Sequence, residues 1–156
     1  MIKNIQIYDM DGTIVCSMHR FKTTPEGKID LAYWIENSTP EKIANDSLLP
    51  LAEKYQADIA NPETYVVIAT ARVMKKADYD FVKNVLGSPN KIVSRNGRDD
   101  MRRGADMKIA GLRFLKNLKQ FANVPKTFYE DNKDYLYPVA SFLNATPVFI
   151  ESQQGV

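Results

Sequence analysis

Two aspartates stand two residues apart in Asp9-Met10-Asp11-Gly12-Thr13, and a second acidic pair, Glu130-Asp131, lies far down the chain. Carboxylates gathered in one place repel one another unless a cation or a shared proton lies between them, and a set of few oxygen ligands suits Mg²⁺, which keeps several of its waters. Once that cation and a nearby lysine neutralise the charge that repels an anionic attacker, an aspartate can act on phosphorus, and Asp9 is then expected to form an aspartyl phosphate. Asp11, two residues on, fits the proton carrier that protonates the leaving oxygen and later deprotonates the attacking water. The Thr70 hydroxyl and the Lys108 ammonium fit the groups that hold the non-bridging oxygens. The competing reading of Asp9 and Asp11, an acidic turn with a helix cap, is outweighed by the full set.

Other chemistries are poorly served. Cys16 is the only cysteine and His19 the only histidine. An internal disulfide is therefore excluded, and a serine-hydrolase triad or a two-histidine zinc site would have to be built around one imidazole. The net charge is only +2, but the stretch from Lys91 to Arg113 carries Lys91, Arg95, Arg98, Arg102, Arg103, Lys108 and Arg113 against three aspartates, and such a segment suits phosphates as well as it suits a solvated helix face.

The elements that must position these residues follow from periodicity. Ile5-Gln6-Ile7-Tyr8 alternates and then stops at the acidic loop, as a strand does. Thr64 to Thr70 is a continuous β-branched and aromatic run, the pattern of a strand buried on both faces. Further strands are expected at Lys91 to Ser94, Lys126 to Glu130 and Pro147 to Glu151. Helical patterns lie between them at Pro40 to Ala57, Lys75 to Leu86, Met107 to Phe121 and Lys133 to Leu143, and Thr39-Pro40 is a favourable helix start. Strand and helix in alternation predict an α/β fold, a Rossmann-like three-layer sandwich around a mainly parallel sheet of about five strands. In such a sheet ligands sit beyond the carboxyl ends of the strands, where Asp9, Asp11, Thr70, Glu130 and Asp131 fall.

Residues 17–37 interrupt this rhythm. Pro25-Glu26-Gly27-Lys28 has turn chemistry, and the insertion reads as a small flap after the first strand, carrying Phe21, Tyr33 and Trp34 beside His19 and Arg20. Packing is the expected role of the aromatics. With 156 residues, 44% of them hydrophobic, the chain is read as one domain over 1–156. It shows neither a leader pattern nor an apolar run of membrane-spanning length, so no membrane partner and a cytoplasmic location are expected.

Asp9-Met10-Asp11-Gly12-Thr13 after a strand, Thr70 ending the next, Lys108 leading a helix and Glu130-Asp131 after a further strand resemble, in order, the four motifs of the haloacid dehalogenase (HAD) superfamily. The resemblance implies a sheet order 5-4-1-2-3. It implies Asp9 as nucleophile and metal ligand, Asp11 as acid/base with its backbone carbonyl on Mg²⁺, Asp131 as the remaining metal ligand, and Thr70 and Lys108 on the phosphate. Asp134 departs by a residue or so from the spacing of the family's further acid, and neither it nor Glu130 receives a role. The second aspartate resembles the phosphatases of the superfamily rather than its dehalogenases.

Thr70-Ala71-Arg72 is similar to the Ser/Thr-Gly-Arg step in the 3′-phosphatase domains of polynucleotide kinase-phosphatases, which implies Arg72 as a contact to a nucleic acid phosphate. The stretch from His19-Arg20 to Pro40 resembles small HAD-type phosphatases of bacteriophages, which implies a phage source and with it a host-cytoplasmic location; His19 and Arg20 are further candidate substrate contacts, against the alternative of a structural role. The expectation is a Mg²⁺-dependent phosphomonoesterase acting on a nucleotide or a nucleic acid 3′-phosphate end. A phosphatase of small sugar phosphates and a non-catalytic phosphate- and metal-binding module are the alternatives.

Overall fold

The computed structural model describes residues 1–152; the last four residues of the 1–156 domain reading lie outside it. In chain order the strands are β1 (Asn4–Tyr8), β2 (Val15–Cys16), β3 (Ser47–Leu48), β4 (Thr64–Ala69), β5 (Lys91–Val93), β6 (Lys126–Glu130) and β7 (Thr146–Phe149). The helices are α1 (Leu31–Glu36), α2 (Pro40–Ala44), α3 (Ala52–Ile59), α4 (Lys76–Phe81), α5 (Gly104–Leu112), α6 (Phe114–Asn117), α7 (Lys119–Ala122) and α8 (Lys133–Leu143).

Five strands form one sheet in the order β5-β4-β1-β6-β7, every neighbouring pair parallel. This is the order 5-4-1-2-3 read from the opposite edge. Successive side chains of a strand point to opposite faces, and the apolar run of β4 divides accordingly. Val67 and Ala69 join Ile5, Ile7, Phe128 and the inner sides of α5 and α8, whereas Val66 and Ile68 join Tyr8, Ile43, Tyr55 and Phe81 on the other face. Both faces are thus buried, as the uninterrupted apolar composition requires.

The register places the chemistry. Tyr8 pairs with Ile68 on one side and with Tyr129 on the other. The residues just beyond these partners, Asp9, Thr70 and Glu130-Asp131, therefore emerge side by side at the carboxyl edge of the three inner strands, where the crossovers part in opposite directions and leave a crevice.

Two helical expectations are corrected. The stretch Pro40 to Ala57 is not one helix. It ends after Ala44, crosses to β3, which pairs antiparallel with β2, and resumes at Ala52. Asn45, Asp46 and Ser47 favour turns through their own side-chain bonds, and Pro50 disfavours the helical conformation for Leu49. Met107 to Phe121 is also broken, with Leu118 extended at φ −81°, ψ 133°. Its apolar residues recur every third position, and each such step falls about 60° short of a full turn of an α-helix. A continuous helix would carry Phe121 well away from the core face that Ile109 begins, and the break returns it to the core.

Residues 17–37 lie between β2 and α2. A 3₁₀ turn at Met18–Arg20 leads to a bridge between Thr23 and Ile29 across the Gly27 turn, and α1 follows, capped by Asp30, whose carboxylate accepts from the Tyr33 N–H at 3.1 Å. Among the described residues no helix is long and apolar enough to cross a membrane.

Candidate active site

Asp9 ends the central strand and is almost fully buried. One of its carboxylate oxygens accepts from Lys108 Nζ at 2.8 Å and the other from the Thr13 hydroxyl at 2.8 Å. Lys108 comes from the first turns of α5, is wholly buried, and also donates to Glu130 Oε1 at 2.7 Å. Burial alone would lower the lysine's pKa, but Asp9 and Glu130 outweigh it and raise it above its ordinary value, so Lys108 is a fixed positive charge. The second oxygen of Glu130 accepts from the backbone N–H groups of Asp131 and Asn132 at 3.0 and 3.2 Å, and this ties the β6–α8 turn to the lysine.

Gly12 is needed where it stands. Its φ is +80°, and a Cβ there would overlap the Asp131 carboxylate. The close passage of the first acidic loop by the second is what lets Asp9, Glu130 and Asp131 each present a carboxylate oxygen, all within 4.8 Å of one another. Such crowding is electrostatically costly. Burial and the Asp9 charge push the Asp131 carboxyl up to about 7. The same two causes raise Glu130 well above the carboxylate range. Lys108 supplies one positive charge against three carboxyl groups, and a divalent cation is the natural complement to the remainder. Glu130 is already spent on Lys108 and the backbone, so Asp9 and Asp131 are the members best placed to hold it.

Asp11 faces the other way. Its carboxylate accepts from Arg72 Nε and Nη2 at 2.8 and 2.7 Å and from the Ser17 hydroxyl at 2.9 Å. Burial would raise its pKa, but Arg72, with Ser17 and Arg20, overcomes this and holds the carboxyl below its ordinary value. Arg72 is not the surface residue that a lone ion pair would suggest. It is buried and also donates to Asp78 at 2.9 Å and to Asp46 at 3.0 Å. Burial, which would lower its pKa, is again outweighed, here by Asp11, Asp46 and Asp78, and the guanidinium stays charged.

Asp46 in turn takes both Nε and Nη2 of Arg20 at 2.8 Å, and Arg20 lies 4.2 Å from the Trp34 ring centre. A buried chain of alternating charge thus runs from the flap to Asp11. Removing one member of such a chain strands its neighbours, a loss of about 3–5 kcal/mol.

Asp9, Asp11, Thr70, Arg72, Lys108, Glu130, Asp131 and Asp134 line one cavity of about 920 Å³. His19 and Arg20, the other two candidates, are not brought to it. His19 Nε2 lies 2.8 Å from the Lys42 carbonyl oxygen, and the Arg20 side chain is fully buried behind Asp46. Asp46 and Asp78 escaped the sequence reading. Asp46 sits in a stretch with helical periodicity; the one signal was its turn-forming neighbours. Asp78 is the third residue of α4, where its carboxylate accepts from the Lys75 N–H at 2.9 Å, and an acid at that position reads first as a cap.

A parallel sheet with this strand order, carrying an acidic loop beyond its central strand, a buried lysine from one side and a second acidic loop beyond the next strand, is the arrangement of an HAD-like fold. Comparison with known proteins narrows the class. Residues 1–142 match the bacteriophage T5 5′-deoxynucleotidase family, and the chain belongs to that family. It is 29% identical over 161 residues to the 5′-deoxynucleotidase of Escherichia phage T5, an alignment covering 99% of this chain and 62% of that protein. The chain therefore spans less than two thirds of that relative's length.

Among solved structures it superposes on a chain of the Pnkp1/Rnl/Hen1 RNA repair complex with a TM-score of 0.63 at 16% identity, covering 96% of this chain and 42% of the other. It also superposes on a haloacid dehalogenase-like family hydrolase from Streptococcus pneumoniae with a TM-score of 0.57 at 14% identity, covering 90% and 81%. At these identities the likeness is one of fold.

Proposed function

We propose that this chain is a Mg²⁺-dependent phosphomonoesterase that removes the phosphate of deoxynucleoside 5′-monophosphates through an aspartyl phosphate on Asp9. The observation that carries the chemistry is the Asp9 carboxylate, held in the cavity lining between Lys108 and Thr13 with Asp11 two residues away. Family membership and the name of the phage T5 relative support the substrate.

In the first half-reaction an Asp9 oxygen attacks phosphorus while the P–O bond to the sugar breaks, and the departing oxygen takes a proton from Asp11. In the second a water attacks the phosphorus, Asp11 accepts the water's proton, and the bond to Asp9 breaks to free phosphate. Held ionised by Arg72, Asp11 rests in the form the second half needs. The negative charge of a bound phosphate ester raises its pKa and favours loading it with the proton that the first half consumes. Lys108 and the Thr70 hydroxyl hold the non-bridging oxygens, and Lys108 adds its charge where negative charge gathers. Asp9 and Asp131, with the Asp11 backbone carbonyl, would hold Mg²⁺, which would supply the positive charge that lets two anions meet. Arg72 and, behind it, Asp46 and Arg20 hold Asp11 in place.

Metal binding should show in stability. Asp131, pushed up to about 7 from an ordinary 3.8, binds its proton more tightly folded than unfolded. Its contribution to the metal-free protein is present below the unfolded value and is lost as pH rises through about 7. Mg²⁺ needs the ionised carboxylates, so the rise in Tm on adding it should be small at about pH 5. At about pH 7.5 and 100-fold above the dissociation constant it should reach about 5–10 °C. Equal shifts at the two pH values, read by thermal melts, would remove Asp131 from the ligand set.

The activity is tested by phosphate release with and without Mg²⁺ across 5′-deoxynucleotides, 5′-ribonucleotides, sugar phosphates, and 3′- and 5′-phosphorylated oligonucleotides. Metal-dependent release from the 5′-deoxynucleotides is expected. A preference for 3′-phosphorylated oligonucleotides that weakens steeply with salt would transfer the assignment to nucleic acid ends. Phosphate binding without release from any substrate would make the chain a binding module.

A further inference from the structure

A second cavity, of about 240 Å³, opens from the catalytic one between α1 of the flap and the loop that follows β5. Ile29, Leu31, Trp34, Ala71, Arg72 and Arg95 line both, so the two are rooms of one space. The walls of the second are largely apolar, with Ile35, Val73 and Met101 added to the shared residues. Met101 is 75% exposed and Ile29, Leu31 and Ile35 are each more than a third exposed, an apolar surface that the fold leaves uncovered beside a charged site.

Most polar groups in these walls are committed elsewhere, and the exposed cations Lys75 and Arg98 stand at the cavity beside them. The Ser38 hydroxyl donates to the Trp34 carbonyl at 2.6 Å and accepts from Arg20 at 3.0 Å. Asp78 serves Arg72 and the Lys75 N–H. Asp100 accepts from Arg102, and Arg95 donates to the carbonyl oxygens of Ala71, Asp100 and Arg102.

We propose that this cavity is the nucleobase subsite, taking the base of a nucleotide whose phosphate lies at Asp9; the proposal rests on the nucleotide reading above. A sugar would surrender its hydration to largely apolar walls, whereas a base offers π-faces that apolar and aromatic side chains accept. Trp34 joins the two rooms, its ring steadied by Arg20 from behind the flap. With most hydrogen-bonding groups of the walls engaged and only the long, exposed side chains of Lys75 and Arg98 left over, recognition runs chiefly through contact with the faces of the base. The subsite therefore favours nucleotides over base-free phosphate esters and discriminates little among the four bases.

The test compares kcat/KM for the four 5′-deoxynucleoside monophosphates with that for 2-deoxyribose 5-phosphate, in the wild type and in Met101→Glu and Ile35→Ala. The wild type should prefer each nucleotide over the base-free ester by about tenfold or more, with the four nucleotides within a few-fold of one another. Met101→Glu, at an exposed position where a charge leaves the core intact, should reduce that preference severalfold through KM. Ile35→Ala should act in the same direction.

Equal use of nucleotide and 2-deoxyribose 5-phosphate, or a preference that neither variant moves, overturns the subsite while leaving the nucleotidase reading standing. Absence of wild-type turnover on every nucleotide, with turnover of another phosphate ester, overturns both.

Discussion

Asp9→Asn is expected to lower turnover by a factor of about 10⁴ or more, because an amide is a far poorer nucleophile than a carboxylate. The structure adds a second expectation that separates loss of chemistry from loss of fold. Asp9 is one of three carboxyl groups within 4.8 Å of one another, and its charge is a named cause of the raised pKa values of Asp131 and Glu130. The neutral asparagine relieves that repulsion. Its amide oxygen can still accept from Lys108, and Lys108 keeps Glu130. The metal-free variant should therefore melt no lower than the wild type, while the additional stability conferred by Mg²⁺ should shrink with the loss of a ligand. Phosphate release and paired melts with and without Mg²⁺ read both effects. A rate near that of the wild type would refute the covalent mechanism.

The parts of this arrangement that were legible in the sequence are those in which local pattern and function coincide. Strand-ending acids, the threonine closing an apolar run, and a lysine near a helix start are read from position alone, and the parallel register then carries Asp9, Thr70 and Glu130-Asp131 to one edge. Gly12 belongs to this class for a reason that needs the structure, its overlap with Asp131 from more than a hundred residues away.

The illegible parts depend on contacts between segments remote in sequence. Asp46 is an unremarkable acid after a short helix until the fold sets it between Arg20 and Arg72, and nothing local distinguishes it from solvent-facing aspartates such as Asp80. Arg20 drew attention as a cation beside aromatics, and that chemistry is present, but it is turned inward to Trp34 and Asp46. A charge near a site can serve it by touching substrate or by holding another charge in place, and only burial tells these apart.

Lys108→Met removes a charge that serves in both ways at the centre of the site. The methionine fills most of the volume beside Phe128 and Tyr135, whose rings the ammonium now approaches at 5.9 and 5.4 Å, so packing should change little. What disappears is the buried cation that bridges Asp9 and Glu130, leaving three carboxyl groups facing one another. Stranding buried charges in this way costs about 3–5 kcal/mol, or about 10 °C in Tm for a chain of this size. The loss should be smaller at about pH 5 than at about pH 8, since protonation removes the repulsion that the lysine no longer offsets. Mg²⁺ should restore part of the stability but not the rate, because a cation between Asp9 and Asp131 neutralises the cluster without replacing the ammonium on the transferring oxygens, whose loss costs about 10²–10³ in kcat. A variant as stable as the wild type at about pH 8 would show that the carboxyl groups there are already protonated, and the charge balance drawn here for the site would be wrong.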